Sequence, residues 1–190
     1  MIDQERIVRA VEEILHAIGE DPRRDGIDRT PTRVAAMYAE LFSGIDQDPR
    51  EFLTVSYDEG ARDTVTIRDI PFMSVCEHHL LPFFGSVHVA YVPSGRIVGI
   101  SKLARAIECI ARRPQMQERV TNQAADLLAE ALQPQGAAVR VEAEHLCMTI
   151  RGVRAAGSRV ITTAFRGIFK EDAAARAEFI SLTSPRGAGS

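Results

Sequence analysis

The chain has 190 residues, of which 45% are hydrophobic and 26% are charged, and its formal net charge is -3 at pH 7. This apolar share is enough for one folded domain and excludes a disordered chain. The charge excludes the overall basic surface of a non-specific nucleic-acid binder, so we expect no nucleic-acid partner. No stretch reaches the roughly 20 apolar residues of a membrane span, and the first residues lack a signal-peptide pattern. We therefore expect a cytoplasmic protein without a membrane partner.

The N-terminal part of the chain predicts two helices. Apolar residues recur at steps of three and four over 7–18, which is typical of an amphipathic helix. Thr30 and Pro31 predict the N-cap and the first turn of a second helix, which Gly44 ends. Arg33 lies off the apolar stripe of this helix, where a solvated side chain is the usual interpretation.

The remainder of the chain predicts an α+β fold. Alternating apolar and polar residues indicate four strands, at residues 64–70, 85–92, 137–151 and 158–169. We expect Pro71 to end the pairing of the first strand, and Ser101 and Pro114 to begin a helix pair between strands two and three. A short helix over 172–182 follows. The order predicts an antiparallel four-stranded sheet with two open edges, which pairing with other copies of the chain would satisfy.

Two residues with reactive side chains are expected to be structural. His88 lies within an alternating strand, where an ordinary hydrogen-bonded histidine is usual. Cys109 lies in an apolar helical run and is expected in the core. Because the cysteines number three and no export signal is present, we expect no disulfide.

Two clusters of metal-binding residue types lie far apart in the chain. Residues 76–79 are Cys-Glu-His-His and residues 145–147 are His-Leu-Cys. Together they are enough for Zn2+ held by Cys, His and Cys, with a fourth position open for water. Either His78 or His145 is then free for proton transfer near neutral pH. A closed zinc site with four protein ligands, or no metal, are the alternatives, and spacing does not decide between the closed and open forms.

Further polar residues suggest a nucleotide pocket. If the third strand runs to Arg151, the side chains on one face are those of His145, Cys147, Thr149 and Arg151. Lys102 and Arg105 share a helix face near an N-terminus, which with Arg151 favours phosphate, although a solvated basic face is the common alternative. Gln117 and Glu118 are either surface residues or partners of the N1-H and amino group of a guanine-like ring.

Six sequence blocks in order resemble GTP cyclohydrolase I, the zinc enzyme family that opens pteridine synthesis. The blocks are Thr30 to Tyr38, Cys76 to His79, Gly99 to Arg105, Arg113 to Arg119, His145 to Met148 and Arg151 to Val153. The similarity extends from about residue 5 to residue 182, nearly the whole chain. The family departs from this chain at Arg166, where leucine is expected, and at Met116, which replaces a usual valine.

The resemblance implies a hydrolase that takes GTP as substrate. Cys76, His79 and Cys147 are then the Zn2+ ligands, and His78, His145 and Ser101 are the catalytic positions. Water activated by the metal attacks C8 of guanine, formate leaves, and an Amadori-type rearrangement gives 7,8-dihydroneopterin triphosphate for folate or other pteridines. The residues implied in substrate binding are Glu118 and Gln117 for guanine, and Lys102, Arg105, Arg151 and Arg33 for the triphosphate.

The resemblance also implies the tunnelling fold and an assembly. Sheets of neighbouring subunits join into a pentameric β-barrel, two pentamers stack into a homodecamer, and active sites lie between subunits. The expected organisation is a helical N-terminal extension at 1–60, a catalytic domain at 61–183 and a mobile tail at 184–190.

Two other functions remain as alternatives. One is a tunnelling-fold nitrile reductase of queuosine synthesis, which uses a nucleophilic cysteine and NADPH; the paired Cys and His clusters argue against it. The other is a non-catalytic purine-binding protein with a closed structural zinc. His78, His145 and Glu118 weigh against that alternative, because a structural site has no need of them.

Overall fold

The computed structural model describes residues 1–54 and 56–184. The helices are α1 (Gln4–Ala17), α2 (Thr30–Leu41), α3 (Ile100–Ala111), α4 (Gln117–Leu132), α5 (Leu146–Thr149), α6 (Ile168–Glu171) and α7 (Ala173–Thr183). The strands are β1 (Ser56–Ala61), β2 (Val65–Cys76), β3 (Pro82–Val92), β4 (Gly95–Val98), β5 (Pro114–Gln115), β6 (Gly136–His145) and β7 (Val160–Gly167). Apart from Ser184, the expected mobile tail lies outside the described residues.

The main sheet contains the four predicted strands. Its order is β5-β2-β3-β6-β7, and β2, β3, β6 and β7 pair antiparallel. β5 adds a two-residue parallel edge beside β2, and a separate two-stranded sheet joins β1 to β4. The predicted α+β class with an antiparallel sheet is therefore confirmed, whereas β1 and β5 were not predicted.

Helices α3 and α4 cover one face of the sheet. Both are amphipathic, and apolar residues at steps of three and four turn one side of each helix to the sheet. The buried residues of α3 include Leu103, Ile107 and Ile110, and those of α4 include Val120, Leu127 and Leu128. Burial of each such large side chain contributes about 1.5–3 kcal/mol, so this interface supplies much of the stability. On the other face, Phe169 of α6 and Phe179 of α7 pack on Ala90 and Ala138.

The prediction that Pro71 ends the pairing of its strand is wrong. β2 continues through Pro71, which pairs with Ser86 on β3. On the other side of β2, β5 reaches only Val75 and Cys76. The outer edge is therefore open at Pro71, where a residue without an N-H group breaks no hydrogen-bond ladder.

The predicted starts of three helices are also wrong by a few residues. Arg29 rather than Thr30 is the N-cap of α2, and Gly99 rather than Ser101 is the N-cap of α3. Pro114 lies in β5, and α4 begins at Gln117. In each case the signal was a residue that favours a helix start, and helix boundaries commonly differ by one or two residues. The start of α4 is shifted further because Pro114 and Gln115 pair with the end of β2.

The third predicted strand is shorter than expected. β6 ends at His145, and the chain then forms the helical turn α5, so the prediction of four side chains on one strand face is wrong. The N-H of Ile150 donates to the carbonyl of Leu146 (3.1 Å), and the N-H of Ala155 donates to that of Met148 (3.0 Å). These local bonds outweigh the strand preference of β-branched residues in this stretch. Cys147 therefore lies on a helical turn and not on a strand.

Three smaller expectations concern residues outside the two clusters. Cys109 is buried, as predicted. Arg166, where the resemblance led us to expect leucine, donates to Asp126 (2.7 Å) and Asn122 (3.2 Å) on α4. This arginine thus packs β7 on α4 through polar contacts. In the part of the chain that the structure describes, no helix combines the length and the apolar character needed to cross a membrane.

Candidate active site

The first part of the site is the reversal between β2 and β3. The N-H of Cys76 donates to the carbonyl of Leu81 (2.9 Å), and the N-H of Leu80 donates to the carbonyl of Cys76 (2.9 Å). Leu80 has a φ of 52°, a left-handed conformation that turns the chain sharply. Cys76 is buried, whereas His78 and His79 are exposed. The turn therefore places two imidazoles near a buried thiol.

The second part is α5, which brings Cys147 to this turn. The possible ligand atoms of Cys76, His79 and Cys147 all lie within 4.8 Å of one another, and Sγ of Cys76 is 3.8 Å from Nδ1 of His79. Tetrahedral Zn2+ with bonds of about 2.3 Å to sulfur and about 2.0 Å to nitrogen places such atoms about 3.5 Å apart. The donor set and its spacing thus fit zinc, and His78 is not a member of this three-residue group.

Burial raises the pKa of the Cys147 thiol, and the Cys76 thiol beside it raises this pKa further. Arg151 acts in the opposite direction and lowers it. A bound cation would reverse the balance, because thiolates are stabilised by positive charge and metal binding releases thiol protons. The pair of thiols is therefore suited to a metal ion more than to free thiolate chemistry.

His145 is the last residue of β6 and lies opposite Phe83 on β3. The two rings stack, with centroids 4.6 Å apart and planes 10° apart. Nε2 of His145 is 2.8 Å from Oε1 of Gln117. Burial lowers the pKa of His145, and the Glu118 carboxylate partly offsets this effect by raising it. The lowered pKa favours the neutral form of the His145 imidazole.

Gln117 and Glu118 begin α4 but have different surroundings. Gln117 is 1% exposed, and its side-chain amide is fully hydrogen-bonded within the chain. Glu118 is exposed, and within residues 1–54 and 56–184 its carboxylate has no hydrogen bond or ion pair. Of the two predicted guanine-binding side chains, only that of Glu118 is free to bind a ligand directly.

An ion pair that was not predicted from the sequence fastens the turn to α4. The guanidinium of Arg119 contacts both carboxylate oxygens of Glu77, and the NH2 to Oε1 distance is 3.1 Å. This contact lowers the pKa of Glu77. The N-H of Glu77 also donates to the carbonyl of Gln115 (3.0 Å). Both residues lie next to predicted site residues, but nothing in their spacing indicates that they pair.

The predicted phosphate-binding residues lie on several separate elements. Ser101, Lys102 and Arg105 lie in the first two turns of α3, Arg33 lies in α2, and Arg151 follows α5. Among the described residues, no side-chain hydrogen bond or ion pair joins these cations to the three-residue group. Arg151 alone is close enough to influence the pKa of Cys147.

The chain is similar to known proteins over nearly its whole length. The model of the GTP cyclohydrolase I family matches residues 7–184. GTP cyclohydrolase 1 of Dehalococcoides mccartyi (strain BAV1) is 57% identical over 189 residues, which cover 98% of this chain and 100% of the relative. The Clostridioides difficile relative of the same name is 57% identical (95% and 96% covered), and that of Bacillus subtilis is 54% identical (94% and 95% covered).

A solved structure, the archaeosine synthase QueF-Like in the apo form, aligns with 55% of this chain and 93% of its own at 20% identity. Its TM-score of 0.44 is too low to bear on function. The relatives, in contrast, span nearly the whole chain at more than half identity. The chain therefore belongs to the GTP cyclohydrolase I family.

Proposed function

We propose that the protein hydrolyses GTP at C8 of guanine, releases formate and forms 7,8-dihydroneopterin triphosphate. The observation that carries this proposal is the convergence of Cys76, His79 and Cys147, with His145 at the end of the adjoining strand. Family membership supports the reaction, and the product opens the synthesis of folate and other pteridines. Cleavage of a ring C-N bond by water is the reaction class.

We assign Zn2+ to the group formed by Cys76, His79 and Cys147, because its donor atoms and their spacing suit that ion. Bound zinc supplies Lewis acidity, which favours hydroxide at neutral pH. Three protein ligands leave one coordination position for a non-protein ligand, which favours the catalytic form over the closed structural form.

The histidines outside the ligand group move protons in this proposal. Burial lowers the pKa of His145 and so favours the neutral imidazole, which can accept a proton and later return it to a leaving nitrogen. Nδ1 of His78 is 3.9 Å from Sγ of Cys76, and the ring is exposed, so we assign His78 as the second proton carrier for ring opening and formate loss.

Recognition of GTP uses the remaining predicted residues. The free carboxylate of Glu118 can accept the two hydrogen bonds that N1-H and the amino group of guanine donate. We assign the triphosphate to the cations and hydroxyl already described: Lys102, Arg105, Arg151, Arg33 and Ser101. Since these residues lie on separate elements and have no hydrogen bond or ion pair to the three-residue group among the described residues, we propose that the site is completed between subunits of a homodecamer. The open outer edges of β2 and β7 support such an assembly.

The deciding experiment incubates purified, metal-analysed protein with GTP and follows formate and the fluorescent pterin obtained after oxidation. Zinc-dependent formation of both products is the expected result. Zinc and GTP binding without any formate would instead favour the purine-binding alternative. Removal of zinc by a chelator, followed by restoration with Zn2+ or Mg2+, provides the control, because only zinc is expected to restore turnover.

A further inference from the structure

The side chain of Gln117 is held in one orientation by backbone oxygens. Its Nε2 atom donates to the carbonyl of Val141 (3.1 Å) on β6 and to that of Val160 (2.9 Å) at the start of β7. A carbonyl oxygen only accepts hydrogen bonds, so the atom facing both must be the NH2 group. The reversed amide would place its oxygen against two oxygens in a buried site, which is strongly unfavourable.

A third contact agrees with this orientation. Nε2 of Gln117 is also 3.2 Å from the hydroxyl of Thr162. Thr121 donates its own hydroxyl proton to the backbone carbonyl of Gln117 (2.8 Å), and its oxygen is 2.6 Å from that of Thr162. Thr162 therefore donates to Thr121 and offers only an acceptor to Gln117. All three partners of Nε2 are acceptors.

The orientation of this amide determines which nitrogen of His145 carries the proton. Oε1 of Gln117 faces Nε2 of His145 at 2.8 Å and can only accept. Nε2 must therefore be the donor, and a neutral imidazole then has a lone pair on Nδ1. Among the described residues, Nδ1 of His145 has no hydrogen-bond partner. Stacking on Phe83 fixes the ring plane, so both the plane and the proton are set by the protein.

We propose that Gln117 is a positioning residue that keeps the proton of His145 on Nε2 and so leaves Nδ1 as the proton-accepting atom. This inference rests on the proposed function, because it names the atom of His145 that exchanges protons with the substrate. It also gives Gln117 a role different from direct guanine binding by its side chain. The His145 ring then has its proton on Nε2 before the substrate binds, so no change of tautomer is needed before Nδ1 accepts a proton.

The direct test reads the tautomer itself. Protein labelled with 15N-histidine and supplied with Zn2+ is examined by solid-state NMR at neutral pH, and the signals of His145 are identified by their loss in His145→Asn. We expect a protonated Nε2 and an unprotonated Nδ1. A proton on Nδ1 would overturn the proposal. This readout needs no turnover, so it stands or fails separately from the proposed reaction, which the formate assay decides.

The second test uses Gln117→Met, which keeps the length of the side chain and removes its hydrogen bonds. We expect His145 to lose its single tautomer, kcat for formate release to fall roughly 10- to 100-fold, and KM for GTP to stay within about twofold. A raised KM with unchanged kcat would assign Gln117 to substrate binding and refute the positioning role. An unchanged tautomer would refute it as well.

Gln115→Met is the matched control. Gln115 is also fully buried, and its amide donates to the carbonyl of Ile110 (2.9 Å) and to Gln123 (2.8 Å), not to a histidine. This variant should lose stability as Gln117→Met does but keep the proton of His145 on Nε2. If it altered the tautomer equally, general loosening rather than the contact of Gln117 would be responsible, and the inference would be lost.

Discussion

His88 on β3 is buried and His145 at the end of β6 is partly buried, and the two histidines have different surroundings. Desolvation lowers the pKa of both. His88 accepts a hydrogen bond at Nδ1 from the N-H of Asp69 (3.1 Å), and its Nε2 is 3.3 Å from the hydroxyl of Ser86. Within residues 1–54 and 56–184, His145 has a hydrogen-bond partner at Nε2 alone. Both ring nitrogens of His88 thus have hydrogen-bond partners, whereas Nδ1 of His145 keeps a lone pair for a ligand.

This difference in hydrogen bonding shows how the fold makes one histidine structural and another available for reaction. Buried polar atoms need partners, and His88 obtains both from its own and the neighbouring strand. The prediction of an ordinary hydrogen-bonded histidine at this position is confirmed. His145 lies where β6 gives way to α5, so the sheet no longer supplies partners on one side. A strand end can therefore leave one nitrogen for a ligand while the rest of the ring stays fixed.

The largest expected effect comes from removing the metal ligands beside His145. Cys76→Ala and Cys147→Ala should each lose bound zinc and turnover, because two ligands hold the ion far less tightly than three. Zinc content by atomic absorption and formate release measure the two losses. Cys109→Ala is the control, since this buried thiol lies outside the group and should keep zinc. Full zinc retention in both ligand variants would refute the assignment.

The next largest effect is expected on kcat, which should distinguish His145 from His88. His145→Ala should keep its zinc and lose about 10²- to 10⁴-fold in kcat, the usual contribution of a general acid or base. His88→Ala should keep kcat, measured with the same formate assay on folded protein. Equal losses of kcat in the two variants would abolish the distinction between a structural and a reactive histidine.

The free energy of unfolding should change in the reverse order, with the larger loss in His88→Ala than in His145→Ala. His88→Ala leaves the N-H of Asp69 without its partner and opens a cavity beside Ser86, so the free energy of unfolding should fall by about 1–3 kcal/mol. Urea unfolding followed by circular dichroism measures the change. A variant as stable as the parent protein would indicate that the two hydrogen bonds of His88 are not needed.

The pH dependence of the unfolding free energy tests the surroundings of His88 separately. The folded-state pKa of His88 lies below the ordinary 6.5, chiefly because of burial; Arg140 and Arg68 lower it further, whereas Asp69 and Glu142 raise it. The unfolded chain therefore binds more protons as pH falls through 6.5, and stability decreases by at most about 1.4 kcal/mol per pH unit.

This loss should be smaller in His88→Gln, because glutamine does not titrate. The stability advantage of the parent protein over the variant should therefore shrink between about pH 7.5 and about pH 5.5. Urea unfolding of both proteins at the two pH values provides the measurement. A constant difference would show that His88 has the same pKa in both states.

The smallest effect on stability and activity is expected at Arg166, whose side-chain hydrogen bonds involve neither His88 nor His145. Arg166→Leu replaces the contacts with Asp126 and Asn122 by the residue that the family resemblance leads one to expect. Because the ion pair is partly exposed, the unfolding free energy should change by less than about 1 kcal/mol, and kcat should not change. Thermal unfolding and the formate assay check both statements. A large loss of kcat would connect β7 and α4 to the site in a way that their contacts do not suggest.

Much of the fold was predictable from hydrophobic periodicity. The strands that form the sheet and the helix pair between them appear in the sequence as steps of two and of three or four, because each element turns one side to a common core. The short elements were missed: β5 has two residues and α5 has four. Such elements exist through contacts with other segments and leave no periodic signal.

The candidate site was predictable as a composition but not as an arrangement. Cys76, His79 and Cys147 stand out because cysteine and histidine are rare in this chain. The role of Gln117 depends on carbonyl oxygens of two strands that converge only after folding. The contact between Glu77 and Arg119 also forms only after folding, because the two positions are 42 residues apart. Sequence reveals the reactive groups, whereas their orientation depends on backbone atoms that every residue shares.

The outer edge of β2 also bears on how the protein avoids aggregation. Over residues 65–74 this edge has no partner in the described part of the chain, and such edges recruit foreign strands. Here the register shifts between Ile67 and Ile70, Asp69 adopts a φ of 60°, and Pro71 lacks an N-H. A flat strand from an unfolded chain cannot pair continuously with this edge. Only a strand shaped to the irregularity can join it, which makes association selective.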